Sequence, residues 1–306
     1  MKKILITANS SFAIWNFRKR LVDSFLNTSN VYISVPEEVK DSSYEINPDI
    51  TLCNLPMNSR SKGIFSNLNT LISCFFQLLR IRPDIVLSFT IKNNIYFGIL
   101  CRILKINFIA NITGVGSYQK DCNSFQLVVI NCMYKFALKK AKHIFFQNLY
   151  DMETFITSNF VNNENCSVIP GSGIDLNSFE FIPAYQASKN SFTFTFASRL
   201  LLDKGIQEFI DAAKDILKNN SYAVNFVICG SHDEEDERYI DKTCLEEIKS
   251  IIGIDYLGNS NEMKKIISNS SCIVLPSYYN EGVPRILIES LAIGRPIITT
   301  NRPGCK

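Results

Sequence analysis

The feature that most constrains this chain is an alternation that runs along almost its whole length. Short blocks of β-branched and aromatic residues, such as KILITA at Lys3–Ala8 and IVLSF at Ile85–Phe89, are separated by longer stretches of helical period. Strands this apolar must be covered on both faces, and strands joined through helices pair as parallel neighbours. The pattern therefore specifies α/β architecture. In the first half it predicts strands at Lys3–Ala8, Val31–Val35, Ile85–Phe89, Phe108–Ile112 and Ile144–Gln147. Helices are expected between them at Asn16–Leu26, Phe65–Leu79, Ile95–Leu104, Phe125–Lys140 and Tyr150–Ser158. The alternation restarts at Thr193–Ala197 and continues with strands Asn225–Cys229, Asp255–Leu257, Cys272–Leu275 and Pro296–Thr299. Its helices are expected at Ile206–Lys218, Ile240–Ile251, Met263–Ser268 and Arg285–Ile293. The segment Phe179–Ser191 carries neither period and holds Pro183, so the linker is placed there, dividing residues 1–180 from 181–306. Two doubly wound, Rossmann-like domains facing each other across a cleft follow, with ligands expected beyond the carboxyl ends of the strands.

Composition narrows the function classes. At 306 residues and 46% hydrophobic content the chain can fill two ordinary cores, which excludes a disordered or fibrous protein. The opening MKKILITANSSF has too short an apolar run for a signal peptide and reads as a first strand. The longest uncharged run, Gly63 to Leu79, is broken by Asn, Gln and Ser and falls short of the ~20 apolar residues that span a bilayer. Ten cysteines include no C-x-x-C pair; Cys74, Cys101, Cys132, Cys229 and Cys272 lie in apolar segments as small hydrophobes, which favours a reducing cytoplasm. The two histidines, His143 and His232, are far apart and have no ligand cluster, so no zinc site is expected. Charge is unevenly spread: from Arg60 to Lys142 there are twelve basic residues against Asp84 and Asp121 alone. One part of the chain should present a positive face to an anionic partner.

Four loops at expected strand ends hold candidate chemistry: ITGVGS (Ile112–Ser117), PGSGID (Pro170–Asp175), ASRLLLDKG (Ala197–Gly205) and NEGVPRILIE (Asn280–Glu289). ITGVGS has a Gly-x-Gly after a strand, but Gln119 stands where the dinucleotide fingerprint needs its third glycine, and a tight turn explains the pair equally well. In ASRLLLDKG, Arg199 ends a strand and Lys204 stands at the entrance to the next helix. A guanidinium, an ammonium and a helix N-terminus together suit a diphosphate, although basic residues near strand ends are also commonly just solvated. In NEGVPRILIE, Pro284 suits the first helical turn. Glu281 then lies in the loop before the helix and Glu289 within it. Carboxylates repel phosphate but accept from paired hydroxyls, such as those of a ribose or a hexose. Helix capping by Glu281 and a surface position for Glu289 is the alternative. Taken together, cations for a diphosphate flanked by acids for hydroxyls describe a site for a nucleotide-sugar.

These residues resemble the retaining GT-B glycosyltransferases of glycosyltransferase family 4, in particular the bacterial members that build surface polysaccharides or lipid-linked oligosaccharides. The resemblance is carried by FASRLLLDKG, the YLG strand end, LPSYYNEGVPRILIESLAIGRPIITTNRPGC with its E-x7-E motif, PGSGID and NITGVGS. It implies that Arg199 and Lys204 bind the donor diphosphate. It further implies that Glu281 contacts the transferred sugar, with the backbone of Gly282, Val283 and Pro284 lining the pocket, and that Glu289 holds the ribose. The backbone from Tyr256 to Gly258 would face the nucleobase. The acceptor side would be formed by the Asn9, Ser10, Ser11 and Phe12 loop and the Gly114 to Gly116 turn. Two departures stand out. The family's histidine on the acceptor side has no counterpart in His143 or His232. The family pattern also runs several tens of residues beyond the Pro-Gly-Cys turn, whereas this sequence ends at Lys306, so a C-terminal domain without its closing segment is expected.

The function implied is transfer of a hexose or N-acetylhexosamine from a UDP-sugar to a lipid-linked saccharide, with retention and with no metal or other cofactor. The acidic run Asp233–Glu237 is expected to be a solvated turn, not a metal site. Two rivals stay open on the sequence: a UDP-sugar epimerase of similar architecture, and a shortened non-catalytic remnant that still binds the UDP-sugar or does not fold stably. The basic stretch Arg60–Lys142, which includes FQLVVINCMYKFALKKAKH, fits docking on anionic lipid on the inner face of the cell membrane. Nucleic acid is not an expected partner, because no aromatic recognition motif accompanies the patch.

Overall fold

The computed structural model describes residues 1–36, 46–57, 64–114, 124–183, 191–219, 223–234 and 236–306. The chain divides into two units, Met1–Ser172 and Gly173–Lys306. The division precedes the expected 180/181 boundary because Phe179 and Ile182 already pack on the second core. The Ile182 N–H donates to the Ile293 carbonyl at 3.1 Å, and Arg295 Nη1 to the Ile182 carbonyl at 2.8 Å.

The first unit is built on strands β1 (Lys2–Thr7), β2 (Ser29–Val35), β3 (Ile50–Asn54), β4 (Ile85–Phe89), β5 (Asn107–Ile112), β6 (His143–Phe146) and β7 (Cys166–Val168). They form one sheet in the order β3-β2-β1-β4-β5-β6-β7, with every pairing parallel. Its helices are α1 (Ser11–Phe17), α2 (Lys19–Leu26), α3 (Ile64–Ile81), α4 (Ile91–Leu104), α5 (Ser124–Leu138) and α6 (Leu149–Thr157). Right-handed crossovers put the two sets on opposite faces. Ile14, Trp15 and Val22 pack with Ile4, Ile6, Val31 and Ile33 on one face. On the other, Leu78, Phe97, Tyr134 and Phe155 share a core with Leu5, Val86 and Phe108.

Three expectations change here. The helix expected over Asn16–Leu26 is two helices, because Ser10 caps α1 by accepting from the Ala13 N–H at 3.2 Å and the backbone turns aside at Arg18. Arg18 is buried with its guanidinium 4.5 Å from the Phe89 ring centroid. Strands β3 and β7 were not expected: ITLCN is an edge strand with one buried residue, and β7 has three residues, so neither carries a period. Cys132 is exposed on α5, while Cys74, Cys101, Cys229 and Cys272 are buried as expected.

The second unit has strands β8 (Ser191–Ala197), β9 (Ala223–Cys229), β10 (Ile254–Gly258), β11 (Cys272–Leu275) and β12 (Ile297–Thr299) in the parallel order β10-β9-β8-β11-β12. Helices α7 (Ile206–Asn219), α8 (Lys242–Ser250), α9 (Met263–Ser268) and α10 (Arg285–Ile293) connect them. Helix α8 starts later than expected because the Asp241 carboxylate caps it, accepting from the Cys244 N–H at 2.7 Å. A single core joins Phe196, Ile210, Ile228, Ile248, Ile273 and Leu287.

Helix α4 lies close against α5. A Cβ built on Gly98 would stand 2.8 Å from the Ala137 Cβ and 3.1 Å from the Phe108 ring, so only glycine permits this approach. Gly98→Val should therefore cost about 1–3 kcal/mol through overpacking. Urea unfolding followed by circular dichroism checks this, and an unchanged midpoint would refute the close contact.

Candidate active site

In each sheet the crossovers reverse direction at one pair of neighbouring strands, β1 and β4 in the first unit and β8 and β11 in the second. Connections leave such a pair on opposite faces, so a crevice opens beyond its carboxyl ends. The expected donor residues come from that place in the second unit. Arg199 and Lys204 follow β8, while Gly282 to Pro284 and both glutamates follow β11.

The two loops are tied together through the backbone. After β8 a 3-10 turn at Leu202–Lys204 exposes the Asp203 carbonyl, which accepts from the N–H groups of Tyr278 and Tyr279 at 3.0 and 3.1 Å. This brings Lys204 against Glu281. Lys204 is only 7% exposed, and its ammonium forms an ion pair with Glu281 Oε2. Ser277, fully buried, donates from Oγ to the other carboxylate oxygen, Oε1, at 2.8 Å. The Tyr279 ring lies 5.3 Å from the ammonium. Burial pulls the Lys204 ammonium below the ordinary lysine range; Glu281 opposes the shift, and the neighbouring charge of Arg199 adds to it. Arg199 itself is exposed and has no ion pair among the described residues.

A second pair follows. Glu289 is buried within the second turn of α10, and Arg285 Nε donates to its Oε1 at 2.6 Å. Burial pushes this carboxyl above the usual carboxylate range against the pull of Arg285. Pro284 stands just outside the helix as its N-cap, not in the first turn, with φ −61° and ψ 125°. It offers no capping side chain, and its carbonyl accepts from the Leu287 N–H at 3.1 Å, so no side chain caps the start of α10. Gly282 and Pro284 are buried and Val283 is half-buried.

The loop carrying Glu281 is braced from behind by residues the sequence reading left unassigned. Thr300 Oγ1 donates to the Ser277 carbonyl, and Thr299 Oγ1 to the Leu275 carbonyl at 2.8 Å. Gly304 has φ 83°, and a Cβ on it would fall 1.5 Å from the Gly282 carbonyl oxygen. Its Pro-Gly dipeptide was the available signal for this turn, as YYN next to Glu281 was for Ser277 and Tyr279.

Other expected positions lie apart from this group. Tyr256 and Gly258 end β10 at the sheet edge; the Tyr256 hydroxyl donates to the Gly230 carbonyl at 3.1 Å, and the Gly230 N–H to the Gly258 carbonyl at 2.8 Å. His232 Nε2 is 2.7 Å from the Ile240 carbonyl, and His143 Nε2 is 2.8 Å from Ser167 Oγ. In the acidic run, Asp236 is not a solvated group: it is largely buried and takes both arms of Arg238, at 2.8 and 2.6 Å. No group of three potential metal ligands occurs among the described residues.

On the first unit, Asn9 to Phe12 follow β1 at the switch point. Ser10 caps α1, Ser11 is buried and Phe12 is exposed, with its ring edge-on to Phe17 at 5.6 Å. Gly114 follows β5 with φ 106°, and Gly116 lies outside the described residues. Beside them is a polar group the sequence reading missed. Asn93 Nδ2 donates to Thr7 Oγ1 at 2.6 Å, Thr90 Oγ1 donates to Asn93 Oδ1 at 3.1 Å, and Asn94 Nδ2 donates to the Asn111 carbonyl at 3.0 Å. Thr90 adopts φ 74°, a strained state for a β-branched residue. The adjacent amides of TIKNNIYF, buried in a helix, were its signature.

Two all-parallel α/β units, the second with cations and acids gathered at its switch point, have the architecture of GT-B glycosyltransferases. The chain belongs to this family: residues 177–306 match the family described as glycosyl transferases group 1, and residues 3–148 match glycosyl transferase 4-like. It is 28% identical over 252 residues to the N,N'-diacetylbacillosaminyl-diphospho-undecaprenol alpha-1,3-N-acetylgalactosaminyltransferase of Campylobacter jejuni, covering 76% of this chain and 63% of that protein. It is also 28% identical over 262 residues to the UDP-Gal:alpha-D-GlcNAc-diphosphoundecaprenol alpha-1,3-galactosyltransferase of Escherichia coli, covering 82% and 66%. The chain thus spans just under two thirds of the length of either relative. Among solved structures, sucrose-phosphate synthase from Thermosynechococcus elongatus superposes with a TM-score of 0.79 at 14% identity, covering 99% of this chain and 82% of that one. Anabaena HepE in complex with UDP and glucose superposes with 0.72 at 15% identity over the same shares.

Removing one member of the Lys204–Glu281 pair leaves a buried charge alone, so Lys204→Met and Glu281→Leu should each cost about 3–5 kcal/mol. The double variant Lys204→Met/Glu281→Leu should cost less than either. Urea unfolding of the three variants measures this coupling, and strictly additive losses would show that the pair is not coupled.

Proposed function

We propose that this chain transfers a hexose or N-acetylhexosamine from a UDP-sugar to a saccharide carried on a polyprenyl diphosphate, retaining the anomeric configuration, in bacterial polysaccharide synthesis. The observation that carries the reading is the grouping of Arg199, Lys204 and Glu281 beyond β8 and β11, ahead of the N-terminus of α10. The names of the two bacterial relatives support a lipid-linked acceptor, and the UDP in HepE supports the donor.

In this reading the diphosphate takes the place of Glu281 as partner to the Lys204 ammonium, and Arg199 meets it from the solvent side. Glu281, released from lysine but still bonded by Ser277, accepts hydroxyls of the transferred sugar, and Glu289 accepts those of the ribose. As the bond from the anomeric carbon to the diphosphate oxygen breaks, the charge that develops on the leaving group is met by the two cations. A hydroxyl of the acceptor forms the new bond from the same face and gives its proton to the departing diphosphate. The charge is balanced by side chains, so the reaction proposed uses no divalent metal. The acceptor is met on the cytoplasmic surface of the membrane, to which the chain attaches peripherally. No helix among the described residues is long and apolar enough to cross a bilayer.

The test is transfer from a panel of UDP-sugars to a short-chain prenyl-diphosphate N-acetylglucosamine, with the product anomer read by proton NMR. Activity should survive EDTA. Arg199→Ala and Glu281→Gln should each fall about a hundredfold, the loss typical of one preorganised charge-stabilising group. Full activity in both variants, or a product of inverted configuration, would overturn the proposal, and sugar conversion with donor alone would indicate an epimerase.

A further inference from the structure

Helices α3 and α5 turn apolar faces to solvent. In α3 the buried side is Cys74, Leu78 and Ile81, which pack on the sheet, yet the opposite side is also apolar. Leu68, Ile72, Phe76 and Leu79 recur there at helical spacing, with Leu68 50% and Phe76 62% exposed. Helix α5 repeats the arrangement. Tyr134, Ala137 and Leu138 are buried, while Phe125, Val128, Val129 and Phe136 form the outer side, with Phe125 76% and Val128 60% exposed. A surface helix ordinarily shows polar residues on this side. The sequences IFSNLNTLISCFFQLLRI and SFQLVVINCMYKFAL contain no acidic residue.

The two faces belong to one surface. Both helices lie on the same side of the first sheet, and α4 between them is drawn down against α5 at Gly98, leaving α3 and α5 as the outer elements. The three helices run in the same direction, so their C-terminal ends gather their cations along one margin. Arg80, Arg82, Lys105, Lys135, Lys139 and Lys140 stand there, all exposed, Arg80 and Lys135 in the last helical turns and the others just beyond them. Arg102 lies over the Phe136 ring at 4.0 Å, which fixes α4 to α5 at that margin.

We propose that the outer faces of α3 and α5 form the surface by which this unit lies on an anionic lipid bilayer, with the side chains of the two stripes entering the acyl boundary and the basic margin meeting phosphate headgroups. The proposal rests on the reading that the acceptor is lipid-linked. Charge complementarity selects this occupant: an apolar face with a margin rich in cations matches the layered chemistry of an anionic leaflet, with hydrocarbon within and negative charge at its surface.

The experiment is flotation of the chain with phosphatidylglycerol-rich vesicles and, separately, with pure phosphatidylcholine vesicles. The chain should float with the first and stay behind with the second. The variant Leu68→Ser/Phe76→Ser/Phe125→Ser/Val128→Ser should lower partitioning at least about tenfold, and Lys135→Glu/Lys139→Glu/Lys140→Glu about a hundredfold, given roughly fivefold per cation. All seven positions are exposed, so thermal melting should be unchanged. Single Phe76→Trp and Phe125→Trp variants give a second readout, since the one native tryptophan, Trp15, is buried. Their emission should shift to the blue and be quenched by brominated lipid. Equal flotation with both vesicles, unaffected partitioning in the serine variant, or a lipid-free dimer that the serine substitutions dissociate would overturn the proposal. With a water-soluble acceptor and no vesicles, the serine variant should transfer sugar as well as the parent chain. Failure of the parent chain with every acceptor while it still floats would reject the transferase reading and leave the docking surface standing.

Discussion

The second unit depends on a topological constraint: β8 and β11 are neighbours whose connecting helices leave in opposite directions. Parallel strands present all their carboxyl ends on one edge, and at the reversal no helix covers that edge. Everything chemically distinctive about the unit collects there. Arg199 and Lys204 arrive from one strand, Ser277, Glu281 and the start of α10 from the other, and the Asp203 carbonyl joins the two loops by accepting both tyrosine N–H groups. The fold thus places opposite charges together in a site that excludes much of the water.

That placement has an electrostatic outcome. An ammonium as buried as Lys204 needs a counter-charge, and Glu281 supplies it. Glu289 is served similarly by Arg285. Both acids expected to grip hydroxyls therefore begin paired with cations. On the proposed function, a ligand bringing only negative charge would satisfy the lysine and leave the carboxylate without a partner. A ligand bringing diphosphate and hydroxyls together satisfies both, so the pairing favours an intact nucleotide-sugar over inorganic phosphate.

The strand and helix alternation was legible because period and burial coincide in buried parallel sheets. Ile85–Phe89, Cys272–Leu275, Met263–Ser268 and Arg285–Ile293 have the same limits in sequence and structure. What escaped was decided by single contacts. The two-helix opening depends on Ser10 as a cap and on Arg18 turning inward to Phe89, and β3 is an edge strand whose exposed residues carry no pattern. At the candidate site, residue types singled out two loops, after β8 and after β11, whose Lys204 and Glu281 the structure brings together. The pairing of Lys204 with Glu281 was hidden because it joins positions far apart in the chain, brought together by the β8–β11 pairing and by the Asp203 carbonyl that ties the two loops. The membrane reading of the α5 sequence came from its mix of apolar and basic residues, but which residues of α3 and α5 face outward was hidden, because a helix apolar all round looks like a core helix until its burial is known.

The loop that holds Glu281 is anchored on every side. In front, two of its N–H groups bind the Asp203 carbonyl; behind, Thr300 binds the Ser277 carbonyl and Gly304 presses against the carbonyl of Gly282. Such a loop cannot swing to admit a ligand without breaking several backbone bonds at once. On the proposed function, exchange of partners at this site then proceeds by side-chain torsion, with lysine and glutamate rotating apart inside a fixed main-chain mould. The barrier to filling the site is then set by two rotamer changes and not by a hinge.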